Sequence, residues 1–210
     1  MTDAPAAPLA EAAARLAELG RDLHARGWVL GTSGNFSLVL ATAPLRLAIT
    51  PRGADKGRLD PTQVLEVDGQ GAPVGGTGRP SDETRLHLAV ASVRRAGAVL
   101  HTHSVWSTLL SERHAPQGGL AIAGYEMLKG LAGVTTHEHR EWIPILHNTQ
   151  DWTAAAPAVE ALLRDRPEAH AFLIRGHGLY TWGRDLAEAR RHLEVLEFLL
   201  EVVGRAEGRG

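Results

Sequence analysis

Two histidines, one residue apart, follow an apolar run near the middle of the chain. The run 98–100 is typical of a short buried strand, and His101 and His103 come directly after it. Because alternate side chains of a strand point to the same face, both imidazoles can face one point beyond the sheet. Imidazole is a common zinc ligand, and a catalytic zinc ion usually has three protein ligands and one open position. Backbone carbonyls would also satisfy such a pair, so the spacing alone favours a metal site only modestly.

A third histidine follows another apolar run late in the chain. His177 comes after the run 171–174 and lies between Gly176 and Gly178. Flanking glycines let the backbone turn sharply and approach a ligand closely. The chain contains no cysteine, so disulfides and thiolate ligands are excluded, and a metal must rest on imidazole and carboxylate groups. The predicted ligands of a divalent ion are His101, His103 and His177.

Two glycine-containing loops are candidate anion sites. Residues 31–35 separate two apolar segments, and residues 50–53 directly follow a predicted strand. Glycines permit unusual backbone angles, and hydroxyl and exposed N–H groups beside them can cradle an anion. Plain turns explain both segments equally well. Neither segment has the glycine spacing of a dinucleotide-binding motif or a P-loop, so those two kinds of site are not predicted.

Two carboxylates are candidate acid–base groups. A helix is predicted from about residue 79, with Ser81 as its N-cap and Glu83 in its first turn, where acidic side chains suit the helix dipole. That helix leads directly into the strand that ends at His101, which gives Glu83 added interest. Glu126 and Lys129 have an i,i+3 spacing that an ordinary surface ion pair also explains.

The composition is that of an ordinary globular protein. The chain has 210 residues, a formal net charge of −2, 44% hydrophobic residues and 22% charged residues. A chain of this length is long enough for one three-layer domain over residues 1–210, and we expect residues 1–8 and 204–210 to be tails. The charge balance gives no case for nucleic-acid binding, and no segment reaches the length of a membrane span. The N-terminus lacks a signal-peptide pattern, so we expect a cytoplasmic protein.

Hydrophobic periodicity predicts the elements that position these residues. Residues 9–26 form an amphipathic helix, and residues 36–40 and 45–49 form a strand pair. The final helix, 185–203, is apolar on more than one side, which favours burial in a core or against a partner. His192 is predicted to lie off the core face of that helix.

A second His-x-His pair does not follow an apolar run. His137 and His139 precede a polar turn, which is more typical of a loop than of a strand end. We therefore leave both histidines out of the predicted site.

Five segments together resemble the class II aldolase/adducin family. The resemblance spans roughly residues 10–203, and the motifs occur in the family's order. It implies a three-layer α/β/α sandwich with a largely antiparallel central sheet, assembled as a homotetramer with active sites near subunit interfaces. The segments are His101-Thr102-His103, Arg175-Gly176-His177-Gly178, Gly31-Thr32-Ser33-Gly34-Asn35, Ile49-Thr50-Pro51-Arg52-Gly53 and Pro80-Ser81-Asp82-Glu83.

The resemblance also implies residue roles. The three histidines would hold one zinc ion per subunit. Glu126 would be the acid–base shuttle, with Glu83 as a second carboxylate close to the metal. Asp82 stands where several aldolases carry a second serine, which removes a neutral phosphate donor. The phosphate and substrate contacts would be Ser33, Gly34, Asn35, Thr50, Gly53, Ser81 and Lys129.

The implied activity is that of a metal-dependent hydro-lyase acting on a small sugar phosphate. Residues 125–130, 143–149 and 177–183 resemble the dehydratases of methionine salvage. A carboxylate would take a proton beside the substrate carbonyl, giving an enediolate that expels a neighbouring hydroxyl. A sugar-phosphate aldolase or 4-epimerase would use the same metal and enediolate. A non-catalytic, adducin-like interaction domain requires broken metal ligands, whereas all three histidines are present.

Overall fold

The computed structural model describes residues 9–208, so the predicted tail 1–8 lies outside the described residues. Within them, regular structure alternates between helices and strands along the chain. The helices are α1 (Leu9–Ala25), α2 (Thr84–Arg94), α3 (Val105–His114), α4 (Trp152–Asp165) and α5 (Leu186–Glu207). The strands are β1 (Asn35–Thr42), β2 (Leu45–Ile49), β3 (Leu65–Asp68), β4 (Pro73–Gly75), β5 (Ala98–Thr102), β6 (Gly119–Ala123), β7 (Arg140–Leu146), β8 (Ala171–Ile174) and β9 (Gly178–Gly183).

The strands form one sheet, in the order β4-β3-β2-β1-β5-β9-β8-β7-β6. Every neighbouring pair is antiparallel except β7 and β8, which run parallel. In the centre, Asn35 of β1 lies opposite His101 of β5, and His101 lies opposite Tyr180 of β9. The strand order therefore brings three distant parts of the chain to one edge of the sheet.

Helices cover both faces of this sheet. Helices α1, α3 and α5 pack on one face, and α2 and α4 pack together on the other. Because neighbouring strand residues point to opposite faces, Leu100 belongs to the first apolar cluster and Val99 to the second. The predicted three-layer sandwich with a largely antiparallel sheet is confirmed. Within residues 9–208, no helix has both the length and the apolar character needed to cross a membrane.

Two predictions about helix ends are wrong. The N-cap position of α2 is occupied by Glu83, not by Ser81. Ser81 lies two residues earlier in the chain, and its hydroxyl is 3.4 Å from the amide nitrogen of Asn35. Helix α5 continues to Glu207, past the predicted end at residue 203. The Glu207 carboxylate accepts a 2.9 Å hydrogen bond from Arg113 of α3, which ties the last turn to the domain.

The prediction that His192 lies off the core face is also wrong. Its side chain is buried near the start of α5. The Nδ1 atom donates to the Trp182 carbonyl at 2.7 Å, and Nε2 accepts from the Ala132 N–H at 3.0 Å. Two backbone partners satisfy the imidazole, and so a polar residue occupies a core position of the helix.

A buried ion pair lies at the end of the sheet opposite His101. The Glu141 carboxylate accepts from Nδ1 of His170 at 3.1 Å, and Nε2 of His170 faces the Ala132 carbonyl at 2.8 Å. Because both ring nitrogens face acceptors, His170 carries both hydrogens and is a cation. Burial and the charge of Arg94 act to lower the pKa of His170, but the hydrogen bond and charge of Glu141 outweigh them and raise it.

We expect replacement of His170 by glutamine to flatten the dependence of stability on alkaline pH. A raised folded-state pKa means that the cation stabilises the fold fully below the ordinary histidine pKa, about 6.5, and less as the pH rises through the folded value. Urea unfolding at about pH 6 and about pH 9 measures this, and the wild-type protein should lose more stability between these pH values than the variant does. His137→Gln, at an exposed histidine, is the control. A wild-type protein no less stable at the higher pH would contradict the assignment.

Candidate active site

The three predicted metal ligands meet at one edge of the sheet. His101 lies near the end of strand β5, His103 follows it by two residues, and His177 lies in the loop between β8 and β9. The Nε2 atoms of His101 and His103 are 2.8 Å apart. The Nε2 atom of His177 is 3.3 Å from that of His101 and 3.0 Å from that of His103. The three nitrogen atoms are therefore close enough together to bind a single metal ion.

Backbone hydrogen bonds and one close strand contact position the three histidines. The N–H of His103 donates to the Trp28 carbonyl at 2.8 Å. The carbonyl of His177 accepts from the Thr108 hydroxyl of α3 at 3.0 Å. The Cβ atom of any other residue at position 178 would clash with the Thr102 carbonyl oxygen. The close approach of strands β5 and β9 therefore requires glycine at this position.

The protonation of these histidines suits a cation. Nδ1 of His101 donates to the Leu179 carbonyl at 3.0 Å, which leaves a lone pair on Nε2. Burial lowers the pKa of His101, and burial together with its histidine neighbours lowers the pKa of His103 to about 3. Burial likewise lowers the pKa of His177. The imidazoles are therefore neutral near pH 7, with their Nε2 atoms directed at one another.

These residues fit a divalent metal ion. Neutral imidazoles 2.8–3.3 Å apart cannot all donate to one another, and one cation between them satisfies every Nε2 lone pair at once. Tetrahedral zinc with bonds of about 2.0–2.1 Å would hold two ligand nitrogens roughly 3.3 Å apart, close to the observed separations. The cluster can therefore bind a metal in its present shape.

Glu83 is the carboxylate nearest to the histidines. Its Oε1 atom is 3.2 Å from Nε2 of His177, and its Oε2 atom is 3.5 Å from Nε2 of His101. The Asn35 amide donates to Glu83 Oε2 at 2.5 Å, and its oxygen accepts from Nε2 of His87. A carboxylate held in this way can act as an acid or base beside the metal, or ligate it transiently.

His87 completes a buried polar chain behind Glu83. Its Nδ1 atom accepts from the Ser37 hydroxyl at 2.7 Å, because Nε2 already donates to Asn35. Burial lowers the pKa of His87 to about 4, against the opposing charge of Glu83. The neutral ring thereby fixes which way the Asn35 amide points, and so directs its N–H group at the carboxylate.

A cavity of about 240 Å³ opens beside the cluster and contains most of the predicted phosphate contacts. Both glycine loops line it. Thr50 does not, because its buried hydroxyl accepts from the Phe36 N–H at 3.1 Å within the sheet. Lys129 is also absent from the lining. The cavity residues are Thr32, Ser33, Gly34, Asn35, Pro51, Arg52, Gly53, Lys56, Ser81, Glu83 and His103.

Glu126 and Lys129 lie elsewhere in the chain. They belong to a 3-10 helix (Glu126–Gly130) that follows strand β6, and their side chains form an exposed ion pair at 2.5 Å. The hydrogen bond from Lys129 lowers the pKa of the Glu126 carboxyl. Strand β6 ends opposite Arg140, while Leu146 at the other end of β7 lies nearer His177. Six residue steps of β7 separate these two ends, or roughly 20 Å.

Sequence reasoning missed three residues of this site. Lys56 is almost fully buried beside the cavity, and His87 supports Asn35 as described above. Tyr180 stacks on His101 with ring centroids 4.0 Å apart, and burial, followed by the charge of Glu83, raises the pKa of its hydroxyl. The signal for Tyr180 was its position opposite a predicted ligand, which requires the strand pairing. The isolated lysine in the 50–56 segment was a visible signal for Lys56.

Comparisons with known proteins agree with this arrangement. Residues 14–203 match the family model described as Class II Aldolase and Adducin N-terminal domain. Methylthioribulose-1-phosphate dehydratase of Xanthomonas campestris pv. campestris (strain 8004) is 47% identical over 206 residues, covering 94% of each chain. YgbL of Klebsiella pneumoniae is 26% identical, with a TM-score of 0.81 and coverage of 97% of this chain and 93% of that one. L-fuculose-1-phosphate aldolase of Thermus thermophilus is 27% identical, with a TM-score of 0.74 and coverage of 97% and 100%.

Proposed function

The chain belongs to the class II aldolase and adducin family, and from this we propose that it is a zinc-dependent hydro-lyase acting on 5-methylthioribulose 1-phosphate. The products would be 2,3-diketo-5-methylthiopentyl 1-phosphate and water. The observation that carries the proposal is the 47% identity, over 94% of both chains, to a dehydratase of that name. The reaction would serve methionine salvage in the cytoplasm.

The residues of the cavity suit a substrate with one phosphate and one apolar end. The phosphate of C1 would occupy the cradle of residues 31–35 and 50–53, with C2 and C3 beside the histidines. Beyond His177, a second cavity of about 330 Å³ is lined by apolar side chains. Its Trp152 ring lies 5.7 Å from the His177 ring, and we place the methylthio group there. The apolar lining is Leu86, Leu146, Trp152, Val159 and Ile174.

The chemistry divides between the histidine cluster and two carboxylates. A zinc ion held by His101, His103 and His177 would supply a Lewis acid for the substrate carbonyl and its neighbouring hydroxyl. Glu126 would take the proton from C3 and return a proton to the hydroxyl that leaves C4. Glu83, positioned by Asn35, would support the metal side of the substrate. Phosphate binding far from the reacting carbons would orient them.

Glu126 would have to reach this site from another subunit. Within one chain, the length of β7, roughly 20 Å, separates the strand end that precedes Glu126 from the strand end near His177, so a second copy is the simplest source of the carboxylate. We propose a homotetramer with active sites between subunits. Exposed apolar side chains on α3 and α5 support such an interface, since Val105 is 64%, Leu109 54% and Phe198 48% exposed. Light scattering that returned a 22.5 kDa monomer would contradict this assembly.

A shared site predicts that two inactive variants rescue each other. His177→Ala removes a ligand from one side of the site, and Glu126→Gln removes the shuttle from the other. When the two chains are co-expressed and assemble at random, roughly a quarter of the sites contain both native side chains. We therefore expect co-purified hybrids to regain about that share of wild-type turnover.

The control for this experiment mixes the same two variants after separate assembly, without subunit exchange. That mixture should stay inactive. A co-expressed hybrid that is as inactive as its parents would mean that the Glu126 and the histidines of one site come from the same chain. A Glu126→Gln parent that is itself active would place Glu126 outside the reaction.

The proposed substrate is tested against that of the related aldolase. Zinc-loaded protein is incubated with 5-methylthioribulose 1-phosphate and, separately, with L-fuculose 1-phosphate. We expect kcat/KM to favour the first by at least about 10²-fold, because the apolar cavity accepts its methylthio end. Faster cleavage of L-fuculose 1-phosphate to an aldehyde would make the protein an aldolase. No turnover of either substrate would favour a non-catalytic domain.

A further inference from the structure

Lys56 is an unusual side chain for this molecule. The chain contains only two lysines, Lys56 and Lys129, although lysine and arginine together number 22. Lys56 begins a 3-10 helix (Lys56–Arg58) and is 1% exposed, whereas lysine is rarely buried without a partner. A buried ammonium therefore lies in the lining of a cavity whose two glycine loops present hydroxyl and backbone groups.

The ammonium has one donor to spare. Its Nζ atom donates to the Thr32 carbonyl at 3.1 Å and to the Ala54 carbonyl at 2.8 Å. Thr32 belongs to the first glycine loop of the cradle and Ala54 directly follows the second, so Lys56 links the two loops. A lysine ammonium carries three N–H donors, and the third remains for a group inside the cavity.

No described carboxylate lies within 4.0 Å of this ammonium, so its charge is buried without a paired anion. Burial lowers the pKa of Lys56 to about 8, while the more distant charges of Asp55 and Glu83 act to raise it. Arg52 also lines the cavity, but its guanidinium is half exposed and already paired with Asp82. A buried unpaired cation is costly, and an incoming anion would offset that cost.

We propose that Lys56 is the charged contact that selects phosphate monoesters at this site, with its third N–H donating to a phosphate oxygen. The proposal deepens the proposed function and rests on it for the identity of the substrate. A doubly charged phosphate would gain a cation at hydrogen-bond distance, whereas an unphosphorylated ketose would leave that cation unpaired. Lys56 thus contributes selectivity as well as the alignment of the two loops.

The two lysines make a direct test possible in the wild-type holoenzyme. Protein grown with isotope-labelled lysine gives two sets of side-chain NMR signals, which a Lys129→Arg sample assigns. Addition of inorganic phosphate should shift the Lys56 signals saturably and raise the pKa of Lys56 by at least about one unit, as a nearby opposite charge does. Chloride at equal ionic strength should have no such effect.

Variants test the same contact through kinetics. Lys56→Met should raise KM for the phosphorylated substrate and the inhibition constant of inorganic phosphate by roughly 10–100-fold, with a much smaller change in kcat. Arg58→Met, which removes an exposed charge from the same short helix, should change neither constant.

The outcomes separate this proposal from the proposed reaction. Lys56 signals that do not respond while phosphate inhibits turnover would overturn the assignment, as would an unchanged inhibition constant in Lys56→Met. If the protein proves inactive on 5-methylthioribulose 1-phosphate, a saturable response of Lys56 to phosphate would still support the phosphate contact. A folded Lys56→Met protein with unchanged phosphate inhibition would mean that Lys56 only holds the two loops together.

Discussion

Replacement of His177 by alanine is expected to abolish turnover and release the metal ion. Three imidazole Nε2 atoms within 3.3 Å of one another would hold the ion, and the variant leaves only two. Loss of an outer-shell partner typically costs about 10–100-fold in metal affinity, so loss of a ligand should cost at least about 100-fold. Elemental analysis after dialysis against a weak chelator measures the occupancy, and circular dichroism verifies the fold.

His137→Ala is the matched control for this measurement. His137 is an exposed loop histidine outside the cluster, so its loss should leave one ion per chain in place. Full occupancy in the His177→Ala protein would overturn the metal assignment. Equal loss in both variants would show that the bound ions belong to surface histidines.

The second large effect concerns the two carboxylates. We expect Glu126→Gln to lower kcat by roughly 10²–10⁴ while the metal content stays unchanged, because a positioned acid–base group contributes about that much. The amide keeps the size of the side chain but cannot accept the C3 proton. Glu138→Gln, at an exposed glutamate in the turn before β7, is the control and should retain wild-type kcat.

Glu83→Gln should act differently, because Glu83 lies 3.2–3.5 Å from two ligand nitrogens. We expect a fall in kcat accompanied by weaker metal binding. Turnover and metal content are therefore measured together for both glutamine variants. If Glu126→Gln keeps wild-type kcat, and Glu83→Gln abolishes it with the metal still bound, then Glu83 is the shuttle.

The local signals of the sequence account for most of the fold. Apolar runs ending in His101 and His177 predicted two buried strands, and both are present as β5 and β8. The exact N-cap residue of a helix was harder to predict, because one turn of chain offers several suitable side chains. Serine is a good N-cap residue by type, but the Ser81 hydroxyl lies close to the Asn35 amide, and α2 begins only at Thr84.

The parts of the site that needed tertiary information were harder to predict. The placement of Asn35 opposite His101 depends on the pairing of β1 with β5, across more than sixty residues of sequence. His192 and Lys56 are polar by type, and only the backbone groups that satisfy them in the folded chain explain their burial. Sequence spacing made Glu126 and Lys129 a pair, and the pair exists, but no spacing could reveal its distance from the histidines.

The most direct test of the proposed function is to see which bond of the substrate breaks. Substrate labelled with ¹³C at C3 and C4 is mixed with the zinc-loaded protein and followed by NMR. We predict a product in which C3 has become a ketone, C4 has lost its hydroxyl, and the coupling between the two labelled carbons is retained. An aldehyde signal from C4 without that coupling would mean that the C3–C4 bond is cleaved, and would contradict the account.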